Sequence, residues 1–131
     1  MPEPEIKLPP KPYENHTLWA STLCAARGFV SAVRSEKKVR HVVIAATAVT
    51  AACVVADVGY FQILMIVFSW ILALICEMFN TALEKALDYS GGKEWHPLIR
   101  DGKDYASACT FVSVLFASLL SISILWDRLF R

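Results

Sequence analysis

Three runs without a single charged residue, 42–56, 58–76 and 105–126, constrain this chain more than anything else in it. A membrane's hydrocarbon core asks for roughly 20 residues of helix. By that measure the first run is short, the second is about span length and the third crosses comfortably. A 131-residue chain that is 56% apolar is also too greasy for one soluble domain of its size. The expected fold is therefore an all-α membrane protein with three transmembrane helices.

The spans have asymmetric flanks. Seven Lys or Arg precede the first run (Lys7, Lys11, Arg27, Arg34, Lys37, Lys38, Arg40) and four lie between the second and third (Lys85, Lys93, Arg100, Lys103), whereas only Asp57 separates the first two. Positive residues stay on the cytoplasmic side. The N-terminus and the polar segment around residues 80–108 are expected to be cytoplasmic and the C-terminus outside.

Ahead of the spans, residues 1–14 hold five of the six prolines and no apolar core, which reads as a disordered cytoplasmic tail rather than a signal peptide. Trp19, Leu23, Phe29, Val30 and Val33 then recur at helical spacing opposite Ser21, Arg27, Ser31 and Arg34. A helix over about 17–35 is expected, lying in the membrane interface with its basic face outward; a helix packed only on protein is the alternative. Residues 15–131 are expected to form one domain, with spans at about 40–57, 58–88 and 104–126. Cys24, Cys53, Cys76 and Cys109 stand singly in apolar sequence, without CxxC spacing, and read as small packing residues.

The second helical pattern does not stop where the charges resume. Glu77, Asn80, Glu84 and Asp88 continue it at i, i+3, i+7 and i+11, one stripe of one helix, towards an end marked by Ser90-Gly91-Gly92. Nineteen uncharged residues precede Glu77, so its carboxylate falls near the lipid boundary, where a charge is costly and is kept for a function or a partner. Glu84 and Asp88 also read as a solvated helix end. Glu36 stands in a basic run, ordinarily the place of a surface ion pair. If Glu36 and Glu84 meet, two carboxylates make a hard oxygen site suited to Mg²⁺, which completes its shell with water and substrate phosphates and so points to a nucleotide. No GxxxxGK[ST] motif or Gly-rich loop is available to cradle those phosphates.

The block EMFNTALEKALD (77–88), followed by EWHPLIRDGKD (94–104) and preceded by ARGFVSAVRSEKKVRH (26–41), resembles the small bacterial membrane lipid kinases of the diacylglycerol kinase and undecaprenol kinase family. Its pattern is E-x-x-N-[ST]-A-x-E-x-x-x-D, then a His and a Lys-Asp pair, here His96 and Lys103-Asp104. The resemblance covers about residues 15–126. It implies a homotrimer in the bacterial inner membrane that uses ATP and Mg²⁺ to phosphorylate a membrane lipid alcohol, with no nucleic-acid partner.

Carried over by position, the resemblance makes Glu77 the general base and substrate contact, with Asn80 orienting the reacting groups. Glu36 and Glu84 hold metal and nucleotide; Glu94, Trp95, His96, Lys103 and Asp104 border the nucleotide; Ser107 lies near the lipid. Asn15-His16-Thr17-Leu18 and the basic pair after Glu36 resemble the undecaprenol kinase branch, which makes undecaprenol the favoured substrate and diacylglycerol the alternative. A small-residue stripe in the third span (Ala106, Ser107, Thr110, Ser113, Ala117) would let helices pack closely. A non-enzymatic scaffold would account for the spans but leave the polar stripe without a purpose.

Overall fold

The computed structural model describes residues 17–91 and 96–130. The proline-rich tail, Glu94 and Trp95 lie outside them. The described residues form four helices: α1 (Leu18–Ser35), α2 (Lys37–Val55), α3 (Tyr60–Gly91) and α4 (Pro97–Phe130). The fold divides into two units, residues 1–31 and 32–131.

The first unit contributes most of α1, none of whose residues is buried. Thr17 opens the helix, its hydroxyl accepting the Ala20 amide at 3.2 Å, as Ser and Thr do for the unpaired amides of a first turn.

In the second unit, α2, α3 and α4 are each long and apolar enough to cross a membrane. Phe61, Phe68, Phe111 and Phe116 are exposed on them, as they would be against lipid, which gives apolar side chains no reason to leave the surface. The buried seam is narrow and, Trp70 apart, made of small or branched groups: Val42, Cys53, Val58, Ile66, Trp70, Ala73 and Ala117 form its core. Two polar links run through it. Trp70 Nε1 donates to Ser121 Oγ at 3.1 Å, and Ser121 Oγ donates in turn to the Ala117 carbonyl at 2.6 Å, so the indole N–H is satisfied where no water would do it. Ser113 and Ala117 are buried within this single chain. The small-residue stripe of the third span is thus used at least partly inside the protomer, and it gives no separate argument for a trimer.

The α2–α3 connection is tight. Asp57 has φ 54°, the left-handed region, and the Val58 and Asp57 amides bond back to the carbonyls of Cys53 at 3.0 Å and Val54 at 3.1 Å. These are the two bonds of a Schellman motif, a position usually filled by Gly. Val58 and Cys53 are buried together at its base. Arg128 of α4 closes the turn, donating from Nε to the Ala56 carbonyl at 3.0 Å and from Nη2 to Asp57 Oδ2 at 3.1 Å.

At the opposite end α3 and α4 run beyond the uncharged segments. α4 begins at Pro97, not near residue 104 as the charge pattern suggests. His96 stands at its N-cap: its carbonyl accepts the amides of Ile99 and Arg100, and its Nδ1 accepts the Leu98 amide at 3.2 Å. Pro97 fills the first helical position, where a missing N–H costs nothing. Lys103, Asp104 and Ser107 are consequently on a helix. A side chain at Gly91 would collide with Ile99, and one at Gly102 would press on Leu87 at 3.2 Å; these two glycines let α3 and α4 approach closely.

Candidate active site

The polar stripe of α3 divides into a buried half and an exposed half. Glu77 and Asn80 are each only 3% accessible, while Glu84 is half-buried and Asp88 exposed. Asn80 donates from Nδ2 to Glu84 Oε1 at 3.2 Å, the i,i+4 neighbour on its own helix. That leaves Asn80 Oδ1 and Glu77 Oε1 buried without a protein partner. Buried polar oxygens are nearly always bonded, so a pair of unbonded ones on adjacent turns marks a place built for something other than packing.

The start of α2 supplies the second carboxylate. Glu36 is extended (φ −104°, ψ 115°) and is the single residue between α1 and α2; it holds the N-cap position of α2 without making a side-chain cap. Its carboxylate is directed elsewhere: Oε1 accepts from Lys85 Nζ at 2.7 Å and from Ser35 Oγ at 3.2 Å. The Lys85 ammonium bonded to it holds the Glu36 carboxyl below the usual carboxylate range, with Ser35 and Lys38 assisting against partial burial. Lys38, two residues on, reaches the other way and pairs with Glu84 Oε1 at 3.1 Å. Glu36 and Glu84 thus sit on neighbouring helices, bound crosswise by Lys38 and Lys85.

The structure joins Asn80, Glu84 and Lys38 in one bonded set and Glu36, Ser35 and Lys85 in another, and it places Glu77 one turn before Asn80 on the same stripe. Lys103 makes a different pair, with Asp88, which anchors α4 to the exposed end of α3. Asp104 pairs with Arg100 on its own helix at 3.6 Å. His96 caps α4. Ser107 is exposed on α4, between Lys103 and Thr110 at helical spacing. An open apolar groove of about 520 Å³ runs between α3 and α4, lined by Leu72, Ala108, Cys109, Val112, Ser113 and Phe116.

The sequence reading missed Lys38 and Lys85 as members of the cluster. The charge pattern counts both only as cytoplasmic flanking charges; the structure pairs both with the carboxylates. The alternation of Glu36 with Lys38 and of Glu84 with Lys85 was the available signal, since complementary short patterns on two consecutive helices are able to pair crosswise.

The donors in the cluster are all hard oxygens: two carboxylates, an amide oxygen and a buried carboxylate oxygen. Among the described residues no three His, Cys, Asp or Glu side chains are grouped so that they could hold a metal ion together, so at most two carboxylates can share one. Such a set fits a small cation that takes one or two protein carboxylates and leaves the rest of its shell to water and phosphate.

Three helices long and apolar enough to cross a membrane mark an integral membrane protein. The chain belongs to the prokaryotic diacylglycerol kinase family, whose sequence model matches residues 23–125. It is 26% identical over 124 residues to two Helicobacter pylori proteins named diacylglycerol kinase, covering 95% of this chain and 92% of theirs. A Pseudomonas aeruginosa diacylglycerol kinase is 28% identical over 120 residues, covering 88% and 97%. The protein is a bacterial membrane lipid kinase that transfers a phosphoryl group from ATP to a lipid alcohol.

Proposed function

We propose that the protein phosphorylates the free hydroxyl of diacylglycerol, giving phosphatidic acid and ADP, at a site built on Glu77, Asn80, Glu84 and Glu36. The observation that carries this reading is the buried Glu77 carboxylate, with one oxygen unbonded, in a pair of helices, α3 and α4, that also carry an apolar groove. A lipid alcohol presents its hydroxyl at the bilayer edge while its chains stay in hydrocarbon, and the groove offers them an apolar wall.

In this reading Glu77 accepts the hydroxyl proton as the lipid oxygen bonds to the γ-phosphorus and the bond to the ADP oxygen breaks. Asn80 orients the reacting groups from one turn away. Glu36 and Glu84 hold Mg²⁺, which supplies charge over the phosphates. Lys103, released from Asp88, contacts the nucleotide, with Asp104, His96, Glu94 and Trp95 at its border, and Ser107 lies on the lipid side. Positioning of this kind is most of what phosphoryl transfer requires of a protein.

Diacylglycerol is placed first because the matching relatives carry that name. Undecaprenol, favoured by the motif at residues 15–18, is the second substrate to be assayed. The cytoplasmic placement of the site follows the Lys and Arg asymmetry. The interfacial placement of α1 is supported by its uncovered Trp19, Leu23 and Phe29. Homotrimeric assembly belongs to the same reading.

Purified protein in bicelles, given labelled ATP, Mg²⁺ and either lipid, tests it. Label is expected in phosphatidic acid. Transfer to undecaprenol alone would reverse the choice of substrate, and transfer to neither would remove the proposal.

A further inference from the structure

Lys38 and Lys85 have no part in the mechanism as stated, yet they are the groups that hold its two acidic ligands. Lys85 Nζ lies 2.7 Å from Glu36 Oε1 and Lys38 Nζ lies 3.1 Å from Glu84 Oε1. The four side chains sum to zero charge. A metal would use the same oxygen lone pairs that now accept from the two ammonium groups, so lysine and metal are alternative counter-charges for each of the two carboxylates. The lysine side chains are 62% and 65% exposed, against 31% for Glu84 and 28% for Glu36. Exposed ion pairs of lysine are weak, and the long stems swing freely once released. Behind the crossing, the buried Asn80 bonds Glu84 through Nδ2 and keeps Oδ1 unpartnered, a further oxygen ready for a cation.

We propose that Lys38 and Lys85 are exchange cations: they hold Glu36 and Glu84 together in the nucleotide-free protein, yield the carboxylates to a divalent ion, and then turn to the phosphates of the incoming nucleotide. The inference rests on the reading that Glu36 and Glu84 hold the ion. The charges balance at each stage. Two ammonium groups leave the carboxylates as one divalent ion arrives, and the freed ammonium groups face a polyanionic triphosphate. Metal entry and nucleotide capture are thereby coupled, and the two lysines act as positioning residues for both.

The test measures Mn²⁺ binding to the full chain in bicelles, without nucleotide, from the loss of the free-ion electron paramagnetic resonance signal, alongside the KM for ATP. Lys38→Met and Lys85→Met should each tighten Mn²⁺ binding about two- to fivefold, the range that displacement of a weak exposed pair allows. They should raise the KM for ATP by a similar factor with little change in kcat. Lys38→Arg and Lys85→Arg should restore both values towards the parent. A purely structural role would weaken Mn²⁺ binding, because the carboxylates would drift apart; weaker or unchanged binding in the Met variants overturns the exchange. Glu36→Gln and Glu84→Gln keep the two failures apart: if they bind Mn²⁺ as the parent does, the metal site itself falls, and if they bind it less well while the Met variants stay unchanged, only the exchange falls.

Discussion

Lys85 of α3 donates to Glu36 Oε1 at 2.7 Å across the junction between the α1–α2 break and the end of the second span. The contact directs to Lys85 a carboxylate that holds the N-cap position of α2 without capping it. It also has a measurable consequence in pH. With Lys85 bonded to it, Glu36 titrates below the ordinary carboxylate value of 4.5. The stability it contributes is fully present above that value and is lost as pH falls through the lowered one. Carbon-detected NMR of labelled Glu36 should show this depressed midpoint, and Lys85→Met should raise it. An unchanged midpoint in the variant would mean that the pair does not form in solution.

Glu36→Gln and Glu84→Gln should each raise the Mg²⁺ concentration needed for half-maximal activity. If both bind one ion, the double variant should be little worse than the more damaged single, because groups acting as a unit are not additive. Additive losses in a Mg²⁺ titration would assign the carboxylates to separate tasks.

Lys103→Ala should raise the KM for ATP by about tenfold or more, as loss of a charged phosphate contact does, and high salt should leave the defect in place. Lys37→Ala, on the other hand, should change only attachment to anionic vesicles, worth about 1 kcal/mol, and salt should mask it beyond a Debye length of roughly 8 Å. Matching salt responses in the two variants would make Lys103 another interfacial charge.

Asp57 has φ 54°, which a β-branched residue adopts only with strain. Asp57→Val should destabilise the protein by about 1–2 kcal/mol, and Asp57→Gly should be tolerated more readily. Thermal unfolding in detergent distinguishes them. Equal melting of the two variants would mean that the loss of the Arg128 pair, common to both, outweighs the backbone conformation.

The spans were legible because lipid solvation imposes long uncharged runs, and the stripe from Glu77 to Asp88 was legible because it continues an uninterrupted helical pattern through 88 to an observed end at Gly91. The start of α4 was not. Residues 97–104 are polar and include Gly102, so hydropathy stops short of them, although His96 and Pro97 form a capping pair that marks a helix start. The complementary charges allowed a pairing of Lys38 with Glu84, but its register depends on how far α3 climbs past the start of α2. The charges of Lys38 and Lys85 were visible, and their partners were a matter of hairpin register.

The central claim is that Glu77 takes the proton from a lipid hydroxyl, and the most direct measurement is the turnover of Glu77→Gln with labelled ATP and diacylglycerol in bicelles, read beside its affinity for MgATP. The account predicts a loss of at least about a hundredfold in kcat, the usual cost of removing a general base, with nucleotide affinity close to that of the parent. Turnover within a few-fold of the parent would contradict it.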